Sequence, residues 1–345
     1  MNHTINLDKF QLRTDLITEI IEQHNIEDAI LSNTKKIEDV HITEVEVKEN
    51  GEKIIGKKKG FYTTIEFEDI TDHNNKEKVK TIFSEELKNI LSKTNIKEEN
   101  TCLIIGLGNE KSTPDALGPL TIERILVTNH LFEYAIPEEG FRPVAAFKPN
   151  VTGVTGIETN KLIHGIVKEI KPDFLIVVDA LASQSLDRLN KTIQISNTGI
   201  HPGSGVGNHR KEISIETIGI PVIAIGIPTV VDALTIVSDT IKYIHKHYAF
   251  HKEYDKKPIS KLTMSSQINY LDKKVDIKEE DKRNLLGMIG ALNDEEIKQL
   301  LFEVLTPIGY NLIVSPKEVD FEIEHLSDIL GNGINLSLHK KVDNI

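Results

Sequence analysis

The chain has 345 residues, one cysteine, no tryptophan and a formal net charge of −12. That length can bury a sizeable core, while the acidic balance excludes the basic footprint of a protein that grips nucleic acid directly. A lone Cys102 within an apolar run leaves no disulfide framework and points to a reducing, cytoplasmic setting. The first ten residues, Met1 to Phe10, lack the apolar centre of a secretory signal. No apolar stretch approaches the roughly 20 residues of a membrane span, so no membrane partner is expected.

In chain order, residues 16–100 read as a charged α+β segment. Val40 to Val47 alternates apolar and polar residues, Asn50-Gly51 signals a turn towards Ile54-Ile55, and Phe61 to Phe67 alternates again, which predicts a hairpin. A helix is expected over Val79–Lys93. From 101 to about 250 the texture changes. Apolar runs at Cys102–Leu107, Phe174–Val178 and Pro221–Ile227 alternate with helical spacing at Asp115–Leu131, Glu158–Ile170 and Val230–His247, with shorter strands at Val144–Phe147 and Thr192–Ser196. Uniformly apolar runs fit strands covered on both faces. Their alternation with helices predicts an α/β class, a doubly wound and mostly parallel sheet in three α/β/α layers. Residues 251–283 are charged and aperiodic and read as a loop or insertion. Residues 284–345 return to helical texture at Asn293–Leu305 and Pro316–Leu330, with Asn293/Glu296 and Ser315/Pro316/Glu318 as capping signals. These helices are expected to complete the same domain.

Two acids stand at strand ends. Asp179 follows Phe174-Leu175-Ile176-Val177-Val178, and Asp115 follows Cys102-Leu103-Ile104-Ile105 by way of Gly106 to Pro114. Open α/β sheets place their sites outside the carboxyl ends of the strands, and two carboxylates there can divide acid and base roles. Asp115 has a competing reading, as an acid favoured in a first helical turn begun by Thr113-Pro114. Asp179 has no helix-dipole explanation; its alternative is a cap or a loop-fastening bond. Gly106-x-Gly108 fails as a dinucleotide fingerprint because Lys111 stands where a small residue is required. The glycine-rich stretch around Gly203, Ser204, Gly205, Gly207 and Asn208 is no phosphate loop; it reads as a wall for an extended peptide or as a tight crossover. His201 and His209 are weak metal candidates. Asp232 reads as the third helical residue behind a Thr229 cap. No cofactor and no metal are expected.

Ile105-Gly106-Leu107-Gly108-Asn109, Thr113-Pro114-Asp115-Ala116-Leu117-Gly118-Pro119 and Val178-Asp179-Ala180-Leu181-Ala182 resemble the germination proteases of spore-forming Firmicutes. So do Thr192 to Ser196, Thr198 to Asn208, Gly219 to Gly226, Pro228 to Ala233 and Asn311 to Glu318. The resemblance implies an endopeptidase of aspartic type with a fold similar to hydrogenase maturation proteases. It implies that small acid-soluble spore proteins are the substrates, cut in the spore core during germination. Asp115 and Asp179 fall on the family's catalytic aspartates. Arg13-Thr14-Asp15-Leu16 matches the site where a propeptide of residues 1–15 leaves a zymogen, between Asp15 and Leu16, and a homotetramer is implied. Asn150 and Thr152, the lack of an arginine in Ala182-Ser183-Gln184, and Ile17-Thr18 depart from the family pattern; they bear on substrate contacts and processing rate. Two alternatives stay open: a metal-dependent peptidase using Asp115, Asp179 and a loop histidine, or a spore-protein binder without catalysis.

Overall fold

In the computed structural model, which describes residues 14–23, 29–134, 139–203, 211–254, 277–305 and 312–342, the apolar runs become the centre of a nine-stranded mixed sheet. The elements follow as α1 (Ile17–Gln23), β1 (Ile30–Ile37), β2 (Val40–Val47), α2 (Glu49–Ile55), β3 (Gly60–Glu66), α3 (His73–Lys93), β4 (Cys102–Gly106), α4 (Leu117–Ile122), α5 (Asn129–Tyr134) and β5 (Val144–Phe147). After these come α6 (Thr152–Thr155), α7 (Thr159–Ile170), β6 (Phe174–Ser183), β7 (Thr192–Ser196), α8 (Ile215–Ile218), β8 (Val222–Asp232), α9 (Ala233–Tyr254), α10 (Glu279–Leu286), α11 (Asp294–Leu305), β9 (Ile313–Val314) and α12 (Val319–Leu338). The chain divides into two compact units, one running to Val230 and resuming at Ser315, the other containing Val231–Val314.

In the larger unit the strand order is β1-β2-β3-β7-β8-β6-β4-β5. β5, β4 and β6 run parallel. β6 and β8 run the same way, since Leu175 N–H donates to Pro221 C=O and Leu181 lies against Gly226 further along both. β1, β2, β3 and β7 are antiparallel neighbours, and β7 is antiparallel to β8. The sheet is therefore parallel at one side and antiparallel at the other.

Alternation sorts the strand residues to two faces. Cys102, Ile104, Phe174, Ile176 and Val178 join the core formed with α3 and α12. Leu103, Ile105, Leu107, Leu175 and Val177 join the core on the other face with Ile163 and Ile218. This is the expected three-layer arrangement. In α7, Ile163, Ile166, Val167 and Ile170 fall on one helical stripe and pack there. In α12, Ile323, Leu326, Ile329, Leu330 and Ile334 are wholly buried, each worth roughly 1.5–3 kcal/mol relative to exposure.

Several local expectations are corrected. Asn50-Gly51 lies inside α2 rather than in a turn; Gly51 is small because a Cβ would stand 2.6 Å from the Ala29 carbonyl oxygen. β2 does pair with β3, and β1, mostly exposed and without a regular apolar alternation, was missed altogether. The helix expected over Asp115–Leu131 is broken into a 3₁₀ turn at Thr113–Asp115, α4 and α5. α3 starts earlier, at His73, because Asp72 caps it through Asn74 and Asn75 N–H. α12 begins at Val319 with no side-chain cap, so Ser315/Pro316/Glu318 is not a capping box.

Within the smaller unit, Val231 and Asp232 pair with Val314 and Ile313. Asn293 and Glu296 exchange the reciprocal bonds of a capping box ahead of α11, as the sequence predicts. The loop expected over 251–283 is partly helical, since α9 runs on to Tyr254 and α10 starts at Glu279; residues 255–276 lie outside the described residues.

Candidate active site

β4 ends at Gly106, opposite Val178 of β6, and Leu107 N–H still donates to Val178 C=O at 2.8 Å. Asp179 is the next residue of β6. The sequence ends this strand at Val178, but β6 continues to Ser183 beside β8, so Asp179 lies in a strand whose β4 neighbour has already left. Its side chain is 5% exposed and accepts from Ala180 N–H at 3.1 Å. By alternation it follows Leu175 and Val177 towards the face that carries α7 and α8.

Asp115 closes the 3₁₀ turn and donates its N–H to Ser112 C=O at 2.7 Å, while its own carbonyl accepts from Asn109 N–H at 3.0 Å. Ser112, not Thr113, precedes this turn as its cap residue, with Pro114 inside it. Gly108 has φ +112 and packs so closely that a Cβ would stand 2.0 Å from the Asp115 carbonyl oxygen and 3.0 Å from Asp115 Oδ1. Glycine is thus required there by both conformation and space. Three residues on, Gly118 of α4 sits on the strands: its Cβ would lie 2.2 Å from Leu107 C=O and 2.7 Å from Val178 C=O. The turn itself packs against β6. Asp115 and Asp179 thus both lie just past the carboxyl end of β4.

Thr229, wholly buried, ties the turn to β8 by donating its hydroxyl to Pro114 C=O at 2.6 Å. The sequence assigns Thr229 as a helix cap; that is corrected, because β8 runs on to Asp232 and α9 starts at Ala233. Asp232 makes the capping bond instead, accepting from Thr235 N–H at 2.6 Å.

The Asp15–Leu16 bond lies further along the same strand. Asp15 N–H donates to Ala182 C=O at 3.3 Å and Ala182 N–H donates to Asp15 Oδ2 at 3.0 Å. The Asp15 carbonyl accepts from Lys57 Nζ at 3.1 Å and from Gln194 Nε2 at 3.0 Å. Lys57 also reaches Thr14 C=O at 3.3 Å. Burial pushes the Lys57 amine below the ordinary lysine range, against the opposing pull of Asp15 and Glu19. Leu16 and Ile17 are wholly buried, and Gln194 Oε1 accepts from Ile17 N–H at 2.7 Å. Glu19, 3% exposed, accepts from Ser183 Oγ at 2.5 Å, Gln184 N–H at 2.9 Å and the Thr14 hydroxyl, which in turn accepts from Leu16 N–H at 3.0 Å. Sequence reasoning missed Lys57, Glu19 and Gln194. Lys57-Lys58-Lys59 carries the signature of a solvated run, and nothing in it marks the first lysine.

Of the glycine-rich loop, Gly203 is described, with φ +72; Ser204, Gly205, Gly207 and Asn208 lie outside the described residues. The loop is pinned at its base by an Ile200–Ile213 bridge, and Ile213 belongs to the core on the Asp179 face. His201 is 3.5 Å from Glu212, and His209 lies outside the described residues. Among the described residues, no three His, Cys, Asp or Glu side chains cluster as a metal site, and no helix is long and apolar enough to cross a membrane.

The sequence model of the germination protease family matches residues 11–345. The germination protease of Geobacillus sp. (strain WCH70) is 48% identical over 99% of this chain and 98% of its own length. That of Oceanobacillus iheyensis is 47% identical over 97% and 96%, and that of Bacillus cereus (strain ATCC 10987 / NRS 248) 46% over 99% and 98%. A crystal structure of the [NiFe] hydrogenase maturation protease HycI from Thermococcus kodakarensis KOD1 aligns with 41% of this chain and 80% of its own, at 20% identity and a TM-score of 0.26. A family match across nearly the whole chain, with relatives approaching half identity end to end, leaves one conclusion: this chain belongs to the germination protease family and is a peptidase.

Proposed function

We propose that the chain is an aspartic-type endopeptidase that starts the breakdown of small acid-soluble spore proteins during germination, made as a self-processing zymogen in the spore core and assembled as a homotetramer. The observation that supports the reading is that Asp115, in a turn packed against β6, and Asp179, in β6 itself, both lie just past the end of β4. Support for self-processing comes from Asp15–Leu16 being held on the continuation of the strand that bears Asp179.

Two carboxyl groups divide the work of hydrolysis. Asp115, half-buried, is the base: it takes a proton from water as the oxygen attacks the peptide carbonyl carbon. Asp179, 5% exposed, is the proton-bearing partner; it hydrogen-bonds the carbonyl oxygen as that oxygen becomes anionic. When the tetrahedral centre collapses, the C–N bond breaks and the departing nitrogen takes a proton from the pair. We assign the loop from Gly203 to Asn208 as a wall for the extended substrate, since Ile213, in the bridge at its base, belongs to the core on the Asp179 face.

Asp115→Asn and Asp179→Asn should each slow cleavage of a small acid-soluble spore protein by roughly 10²-fold or more, with circular dichroism unchanged. A folded Asp179→Asn variant that cuts at the wild-type rate would overturn the reading.

A further inference from the structure

At the other end of the parallel strands a cavity of about 950 Å³ opens between α3, α12 and the residues leading into β5. Arg142 lines it. The residue is 4% exposed, yet its Nε and Nη1 are buried without any acceptor. The guanidinium carbon lies 5.2 Å from the Phe174 ring centroid, a cation–π contact that leaves the N–H groups at the rim of the plane unused. Burial pushes the Arg142 guanidinium below the ordinary arginine range. A buried donor left without an acceptor is costly and rare, so the position calls for a partner from outside.

The rest of the lining says what kind. Lys97 and Lys340 add positive charge, and Leu91, Phe132 and Phe141 add apolar wall. Three acids also line the cavity, Glu98, Glu99 and Glu139; Glu98 is engaged by Lys340 at 2.7 Å, and none of the three bonds Arg142. The cavity is far larger than one inorganic anion, and it is part charged and part aromatic. We propose that it binds a small organic oxyanion, a carboxylate or phosphate on a flat apolar body, with the Arg142 guanidinium taking the oxygens and the phenylalanines the body.

The site is separate from the aspartates. Arg142 precedes β5, whose Val144 pairs with Cys102, the first residue of β4, whereas Asp115 and Asp179 lie past the last residue of β4; five residues of strand put them roughly 16 Å apart along the sheet. The proposal therefore stands whether or not the aspartates are catalytic.

The test titrates the full chain with benzoate, phenyl phosphate and inorganic phosphate at constant ionic strength, by calorimetry and thermal shift, with chloride as reference. Saturable binding of benzoate or phenyl phosphate at one site per chain is expected, and the stronger of the two identifies the oxyanion. Arg142→Met should weaken it at least tenfold. Should that variant not fold, Lys97→Gln, a change at an exposed position, should weaken it about threefold. No saturable binding by either aromatic acid overturns the proposal, and so does binding equally tight in a folded Arg142→Met chain or, failing that, in Lys97→Gln.

Discussion

The hydroxyl of Thr229 fastens the turn that bears Asp115 to β8. It is the side-chain bond that joins the Pro114 carbonyl to β8, and it is wholly buried. Thr229→Val keeps the shape and removes the donor, leaving that carbonyl unpaired at a cost of about 1–3 kcal/mol. We expect a lower denaturant midpoint, and a fall in kcat greater than the loss of folded protein explains, because the turn bearing Asp115 shifts. Unchanged kcat in a folded variant would show that the bond serves stability alone. At this scale the sequence is uneven in what it discloses. Asp115 and Asp179 draw notice in the sequence because they stand beyond buried apolar runs, although each also has a capping reading there. Lys57 is not legible: its role depends on a fold that brings it to the Thr14 and Asp15 carbonyls, and such a contact between distant positions leaves no local pattern.

Elements were read best where both faces are covered. β4, β5 and β7 fall within a residue of expectation, and β4 is the continuous apolar run that suits a strand covered on both faces. Ends were read worst where a neighbour sets them. β6 outruns its apolar stretch because β8 accompanies it, and the fit is close enough that a Cβ on Gly226 would stand 2.5 Å from Leu181 Cγ. β1 escaped notice because its residues are mostly exposed and its pairing with β2 is made by backbone. Helix α4 rests on the sheet through Gly118, where any side chain meets the Leu107 and Val178 carbonyls. Gly118→Ala should therefore destabilise by about 1–3 kcal/mol, read as a shift of the urea midpoint, and push α4 and the Asp115 turn off β6 with loss of activity. A variant of normal stability and activity would mean that the strand ends yield easily.

For the whole molecule, the layered α/β plan was legible from the alternation of runs, whereas the grouping of Val231–Val314 into a unit of its own depends on contacts that no local spacing records. If the chain is a zymogen, removing Met1–Asp15 should raise activity on a small acid-soluble spore protein; an equally active full-length chain would count against that control. The contact at Thr14 adds a consequence for the trimmed protein. Its hydroxyl touches both Leu16 N–H and Glu19, so cutting after Asp15 removes the shared intermediary and turns a neutral amide into an ammonium group. That new cation starts one hydroxyl's width from the Glu19 carboxyl group, which keeps Ser183, Gln184 and Arg188 as partners, and direct contact replaces the hydroxyl that was lost. The cut end would then serve as a latch, with charge supplied by the bond that was broken. Glu19→Gln should cost the trimmed chain more stability than the intact one, and placing a residue ahead of Leu16 should abolish the difference. Equal losses in both backgrounds would leave the fresh terminus without a task.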